Sequence, residues 1–190
     1  MRQLFIIAGP NGAGKTTASL TVLPEILHCK EFVNADEIAK GLSPFNPEGV
    51  AFQAGRIMLQ RIDELLKQGV SFAFETTLST KSYISLIRNA QEQGYNVTLV
   101  FFYLPSAEQA IMRVAKRVSE GGHNIPSDVI VRRYKRGLEN LQKLYMPICD
   151  NWIIYNNCTA GGEVKRVASG NLNSPLRIDD HIAFNHIMNL

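Results

Sequence analysis

The residues from Gly9 to Thr16, GPNGAGKT, have the types and spacing of a loop that binds phosphate. Gly9, Gly12 and Gly14 allow the backbone to close round phosphate oxygens and aim N–H groups at them. Pro10, Asn11, Ala13 and Thr17 complete the stretch that would touch a nucleotide. Lys15 can reach the outer phosphates, and the Thr16 hydroxyl can ligate Mg²⁺. Both flanks agree with this: Leu4 to Ala8 is an apolar run of strand type, and Lys15 to about His28 reads as a helix whose dipole adds attraction. No N-K-x-D guanine reader occurs, so ATP with Mg²⁺ is expected.

The fate of the last phosphate depends on groups further along. A motor or switch NTPase normally has an apolar strand ending in Asp, but here the runs end VNAD, AFET and FYLP, which favours a kinase. A kinase needs a carboxylate to orient and partly deprotonate the attacking hydroxyl. Asp36, just past the second strand, stands at the edge of a parallel sheet where ligands bind. Its other possible task is to N-cap the helix opening at Glu37–Ile38. Glu75 ends the third strand in FETTLS, fit for a Mg²⁺-bound water or a substrate hydroxyl, while Thr76 and Thr77 could bind substrate or satisfy the turn. Arg113 and Arg117, four apart, share one helix face, and Arg132, Arg133 and Arg136 open the helix after EGGHNIP. The segment from about 113 to 136 would then be a lid that closes arginines over the phosphates. Against this stand the possible surface pairs Asp128–Arg132 and Lys135–Glu139, and His123 at the loop tip reads as solvated.

These residues need a scaffold that brings strand ends together. Strand-like runs at Leu4–Ala8, Glu31–Ala35, Val70–Glu75, Asn96–Leu104 and Trp152–Tyr155 alternate with helical spacing from Pro47 to Gly69, Ser82 to Gln93, Ala107 to Val118 and Ser127 to Tyr145. Continuous apolar strands alternating with helices give an α/β class, a P-loop NTPase fold with a central mainly parallel sheet, helices on both faces and a helical lid. One domain over 1–190 is expected, with an edge strand at Val164–Ala168 and a terminal helix after Gly161.

Composition sets outer bounds. At 45% hydrophobic and 19% charged residues, with net charge +3, the chain is neither disordered nor basic enough to argue for nucleic acid. Aromatic–basic interleaving is confined to Tyr134 among Arg132, Arg133, Lys135 and Arg136, so nucleic acid is not expected as a partner. Cys29, Cys149 and Cys158 form no C-x-x-C pair and read as reduced thiols of a cytoplasmic protein, and no run approaches the roughly 20 apolar residues of a membrane span.

Taken in order, AGPNGAGKTT, VNADEIAKG, FETTLS and RVSEGGHNIPSDVIVRRYKRGLENL resemble the zeta toxin family of bacterial P-loop kinases, over roughly Leu4 to Tyr155. The resemblance implies phosphorylation of the 3′-hydroxyl of the amino-sugar in UDP-N-acetylglucosamine, which starves cell-wall synthesis, and a possible antitoxin that blocks the nucleotide site. It implies Lys15 and Thr16 as nucleotide and Mg²⁺ residues, Asp36 as catalytic base, Glu75 with Thr77 as the sugar-binding strand end, and Arg117 as the first lid arginine. Two stretches depart from the family pattern. Thr76, Thr77, Leu78 and Ser79 stand where the best-studied toxins carry a glycine and an arginine, and Gly122–His123 occupy the place of a second lid arginine, with Arg132 and Arg133 coming later. The residues alone leave open a kinase of another small metabolite or polynucleotide end, and a nucleotide-binding interaction protein without turnover.

Overall fold

A computed structural model of the chain describes residues 1–122, 124–157, 164–171 and 174–189; His123 and Cys158 lie outside the described residues. The strands are β1 (Arg2–Ala8), β2 (Glu31–Val33), β3 (Phe72–Thr76), β4 (Tyr95–Tyr103), β5 (Asn151–Asn156), β6 (Lys165–Asn171) and β7 (Ser174–Ile178). The helices are α1 (Lys15–Thr21), α2 (Ala35–Leu42), α3 (Ala51–Gln68), α4 (Tyr83–Glu92), α5 (Ala107–Ser119), α6 (Ser127–Asn140) and α7 (His181–Met188).

All seven strands form one sheet in the order β2-β3-β1-β4-β5-β6-β7. The first five are parallel, and β6 and β7 join antiparallel. Successive residues of a strand face opposite sides of the sheet. Leu4 to Ala8 on β1 and Val100 to Tyr103 on β4 are all buried, so both faces are covered, as continuous apolar strands require. The register sets Ile7 opposite Glu75 and Ala8 opposite Thr76, which brings the end of β3 beside the start of the glycine loop.

Three elements differ from the sequence expectation. The helix after the loop does not run α-helically to His28: it ends at Thr21 and widens into a π turn, Val22–Ile26, around Pro24. Proline has no N–H and crowds the carbonyl of the preceding turn, and a wider turn absorbs both defects. Likewise α6 stops at Asn140 and continues as a π turn, Leu141–Tyr145. Beyond the parallel sheet a two-stranded hairpin appears where one edge strand was expected. The Pro175 in β7 obscured the second strand, but proline is tolerated at a sheet edge, where no ladder bond on that side is lost. The terminal helix is present as α7, with Asp180 as its N-cap.

Candidate active site

The loop leaves β1 at Gly9, whose φ is 140, and passes so close to β4 that a Cβ there would lie 2.3 Å from the Phe102 carbonyl oxygen. No larger residue fits. On its other side the loop is braced by α5. Arg113 donates to the carbonyls of Gly12 and Asn157, and Asn157 Nδ2 donates to the Ala13 carbonyl at 2.7 Å. Arg113, expected on a mobile lid, is therefore tied to the loop it faces.

Lys15 is buried and Glu75 nearly so, and the two lie 3.5 Å apart. The Lys15 ammonium also donates to the Pro10 carbonyl at 3.0 Å. The second oxygen of Glu75 accepts from the Thr16 hydroxyl at 2.7 Å and from Asn34 Nδ2 at 2.9 Å. A buried carboxylate survives only when paired and hydrogen-bonded, and here both conditions hold. The Thr16 hydroxyl beside the Glu75 carboxylate is a hard oxygen donor set of the kind Mg²⁺ takes when its remaining ligands are water and phosphate, so these residues fit the metal.

Asp36 does not cap α2. Asn34 does, its Oδ1 accepting from the Asp36 N–H at 2.8 Å while its amide nitrogen reaches Glu75. Asp36 is left in the first turn of the helix, exposed, with no described residue paired to its carboxylate. Asn34 was not singled out from the sequence. An asparagine just before a helix signals a cap, but its second bond crosses to another strand.

Two cavities meet at these groups. One, of about 390 Å³, follows the loop past Gly12, Gly14, Thr16 and Thr17 to Arg113 and Arg117. The other, of about 210 Å³, is lined with hydroxyls from Thr76, Thr77, Ser79, Thr80 and Tyr83, and by Arg133. Burial raises the Tyr83 phenol above its ordinary value, and its hydrogen bond with Thr76 only partly offsets this, so it stands as a neutral hydroxyl. Asn11, Lys15, Asp36 and Glu75 line both cavities. Asn11 is buried, and its Oδ1 accepts no hydrogen bond from any described residue. Of the expected lid arginines, Arg117 reaches the first cavity and Arg133 the second, whereas Arg132 is exposed and lines neither.

Comparison with known proteins gives the lineage. The zeta toxin family model matches residues 2–159. The chain belongs to the zeta toxin family. A relative from Haemophilus influenzae, an uncharacterized protein, is 32% identical over 132 residues, covering 70% of this chain and 92% of the relative. Among solved structures, a chain of the AvrRxo1-ORF1:ORF2 complex with ATP superposes with a TM-score of 0.79 at 20% identity, covering 98% of this zeta toxin family member but 63% of that chain. The protein thus spans under two thirds of that neighbour's length. The PezAT chromosomal toxin–antitoxin system of Streptococcus pneumoniae gives 0.70 at 17% identity, covering 100% of this chain and 84% of the other. Shikimate kinase from Acinetobacter baumannii gives 0.50 at 18% identity, over 85% and 86% of the two chains. These likenesses are of fold. Family and fold give this chain the architecture of the P-loop kinases. Among the described residues no helix is long and apolar enough to cross a membrane.

Proposed function

We propose that the protein transfers the γ-phosphate of ATP, with Mg²⁺, to a hydroxyl of a nucleotide-sugar of the UDP-N-acetylglucosamine kind. The observation that carries this reading is the shared wall: Asn11, Lys15, Asp36 and Glu75 border both the loop cavity and the hydroxyl-lined cavity. A phosphate held on one side and an alcohol on the other meet beside Asp36.

In this reading the Asp36 carboxylate accepts the proton of the acceptor hydroxyl as its oxygen attacks the γ-phosphorus and the bond to the β-phosphate oxygen breaks, releasing ADP. Lys15 turns from Pro10 and Glu75 to the phosphates, and Arg117 adds charge from α5. Thr16, with Glu75 through water, would hold Mg²⁺, which when bound supplies positive charge against the phosphate oxygens. Thr77 and Arg133 line the cavity that would take the sugar and orient it. Membership of the zeta toxin family and likeness to PezAT support a protein antitoxin as partner.

The test is transfer of label from γ-labelled ATP with Mg²⁺ to UDP-N-acetylglucosamine, other UDP-sugars or an oligonucleotide, with Asp36→Asn beside wild type. Loss of a general base costs about 10³-fold in rate, and ATP affinity should stay unchanged. Full transfer by Asp36→Asn would remove Asp36 as the base, and label on an acceptor other than a UDP-sugar would remove the proposed substrate.

A further inference from the structure

Asn34 uses both ends of its amide, and the two ends go to different parts of the site. Its Oδ1 accepts the Asp36 N–H at 2.8 Å, while its Nδ2 donates to the Glu75 carboxylate at 2.9 Å and lies 3.4 Å from the Thr16 hydroxyl. The partners dictate which end points where, since a backbone N–H only donates and a carboxylate only accepts. At 7% exposure the side chain is shut off from water, so solvent cannot take over either bond.

The helix that Asn34 caps has little else to fix its first turn. α2 fully buries only Ala39, with Ala35 and Ile38 half-buried against the core, and its Glu37–Lys40 pair lies on the surface. Asp36 itself is exposed. Glu75, by contrast, is placed by β3, whose register against β1 sets it opposite Ile7. One planar amide therefore connects a fixed strand end to the turn that carries Asp36. The other partners of Glu75 are Lys15 and Thr16, and in the proposed reaction both turn to phosphate and metal. Asn34 has no such second task, so its bond holds throughout.

We propose that Asn34 is a positioning residue: by tying the N-terminus of α2 to Glu75 it sets where Asp36 stands relative to the phosphates. The proposal rests on the kinase reading and goes beyond it, because it assigns the placing of the base to a residue that acts only through others. Capping alone would make Asn34 exchangeable with any good cap. Serine and aspartate both cap well, but serine is too short to reach Glu75 as well, and aspartate meets it with like charge and no proton to donate.

The experiment therefore compares Asn34→Ser and Asn34→Asp, each of which keeps a cap for α2, with wild type. Transfer from γ-labelled ATP to UDP-N-acetylglucosamine is measured with both substrates and Mg²⁺ saturating. Backbone hydrogen exchange over Ala35–Leu42 is measured with a non-hydrolysable ATP analogue and Mg²⁺ bound, and α3 serves as the internal control. Both variants are expected to lose at least ~10-fold in kcat, since a misplacement of about 1 Å can cost ~10²-fold. Exchange of α2 should quicken by at least ~10-fold, with exchange of α3 and affinity for the analogue unchanged. Wild-type kcat or wild-type α2 exchange in either variant overturns the proposal and leaves Asn34 a cap. Faster exchange in α3 as well, or a loss of kcat matched by weaker analogue binding, also overturns it, by making Asn34 a support of the fold or of the nucleotide site. If wild type transfers phosphate to no acceptor, the substrate reading fails by itself and exchange decides the tie: α2 alone faster in both variants upholds it, and α2 unchanged overturns it.

Discussion

Glu75 satisfies three groups with one nearly buried carboxylate: an ammonium, a hydroxyl and an amide. Replacing it with glutamine keeps the shape but leaves Lys15 buried without an anion, an arrangement that costs about 3 kcal/mol. The Glu75→Gln protein is expected to melt well below wild type when free of ligand, and to recover much of the difference with ATP and Mg²⁺, whose phosphates give Lys15 a new partner. Thermal melts with and without nucleotide measure this, and equal melting temperatures without nucleotide would show that the pair contributes nothing. Lys15, Thr16 and Glu75 were legible in the sequence because loop chemistry and strand-end position are local properties. Asp36 was legible by position, but its alternative as a cap falls to Asn34. Asn34 was hidden because its bond to Glu75 spans 41 residues, a distance over which no short motif speaks.

At the scale of elements, α6 and the turn that follows it hold the loop after β3. Gly137 faces the Thr77 carbonyl so closely that a Cβ would stand 2.5 Å from its oxygen, and Asn140, one helical turn on, bonds the next carbonyl. Asn140→Leu would leave the buried Leu78 carbonyl without its donor, a loss of about 2 kcal/mol. If the loop positions the acceptor, this variant raises the KM for the acceptor several-fold and leaves that for ATP unchanged; steady-state kinetics at varied concentrations of each substrate separate the two. Equal changes in both would mark Asn140 as a support of the whole fold. The helix itself was readable from its apolar spacing, but the π turn was not. One widened turn shifts the helical register at its end and leaves no trace in the apolar pattern before it, yet it delivers Tyr145 to the Thr80 carbonyl.

For the molecule as a whole, the alternation of apolar strands and helices made the parallel sheet readable, because burial on both faces removes the polar–apolar alternation. The antiparallel hairpin beyond it was half readable, since an edge strand carries little burial to betray it. The core also holds groups that resist ionisation. Burial, with Asp150 adding to it, pushes the Cys149 thiol up to about 12, and burial pushes the phenols of Tyr103 and Tyr145 up to about 12. Unfolded, the thiol releases its proton near 9.0 and the phenols near 10.0. Between those values and the folded ones the unfolded chain binds fewer protons than the native one, so stability falls as pH rises. The melting temperature is expected to decline steadily above about pH 9, and Cys149→Ser to flatten the first part of that decline. A melting temperature constant from neutrality to about pH 11 would contradict the burial of these groups.

The shared wall between the two cavities also implies a leak. Asp36 is exposed and borders the hydroxyl-lined cavity whether or not an alcohol fills it. Under the proposed function, without one a water molecule would have the same place and the same base, and the protein would idle, spending ATP on the solvent. The true acceptor should then reveal itself before any product is identified: among candidate alcohols, it is the one that silences phosphate release as its concentration rises.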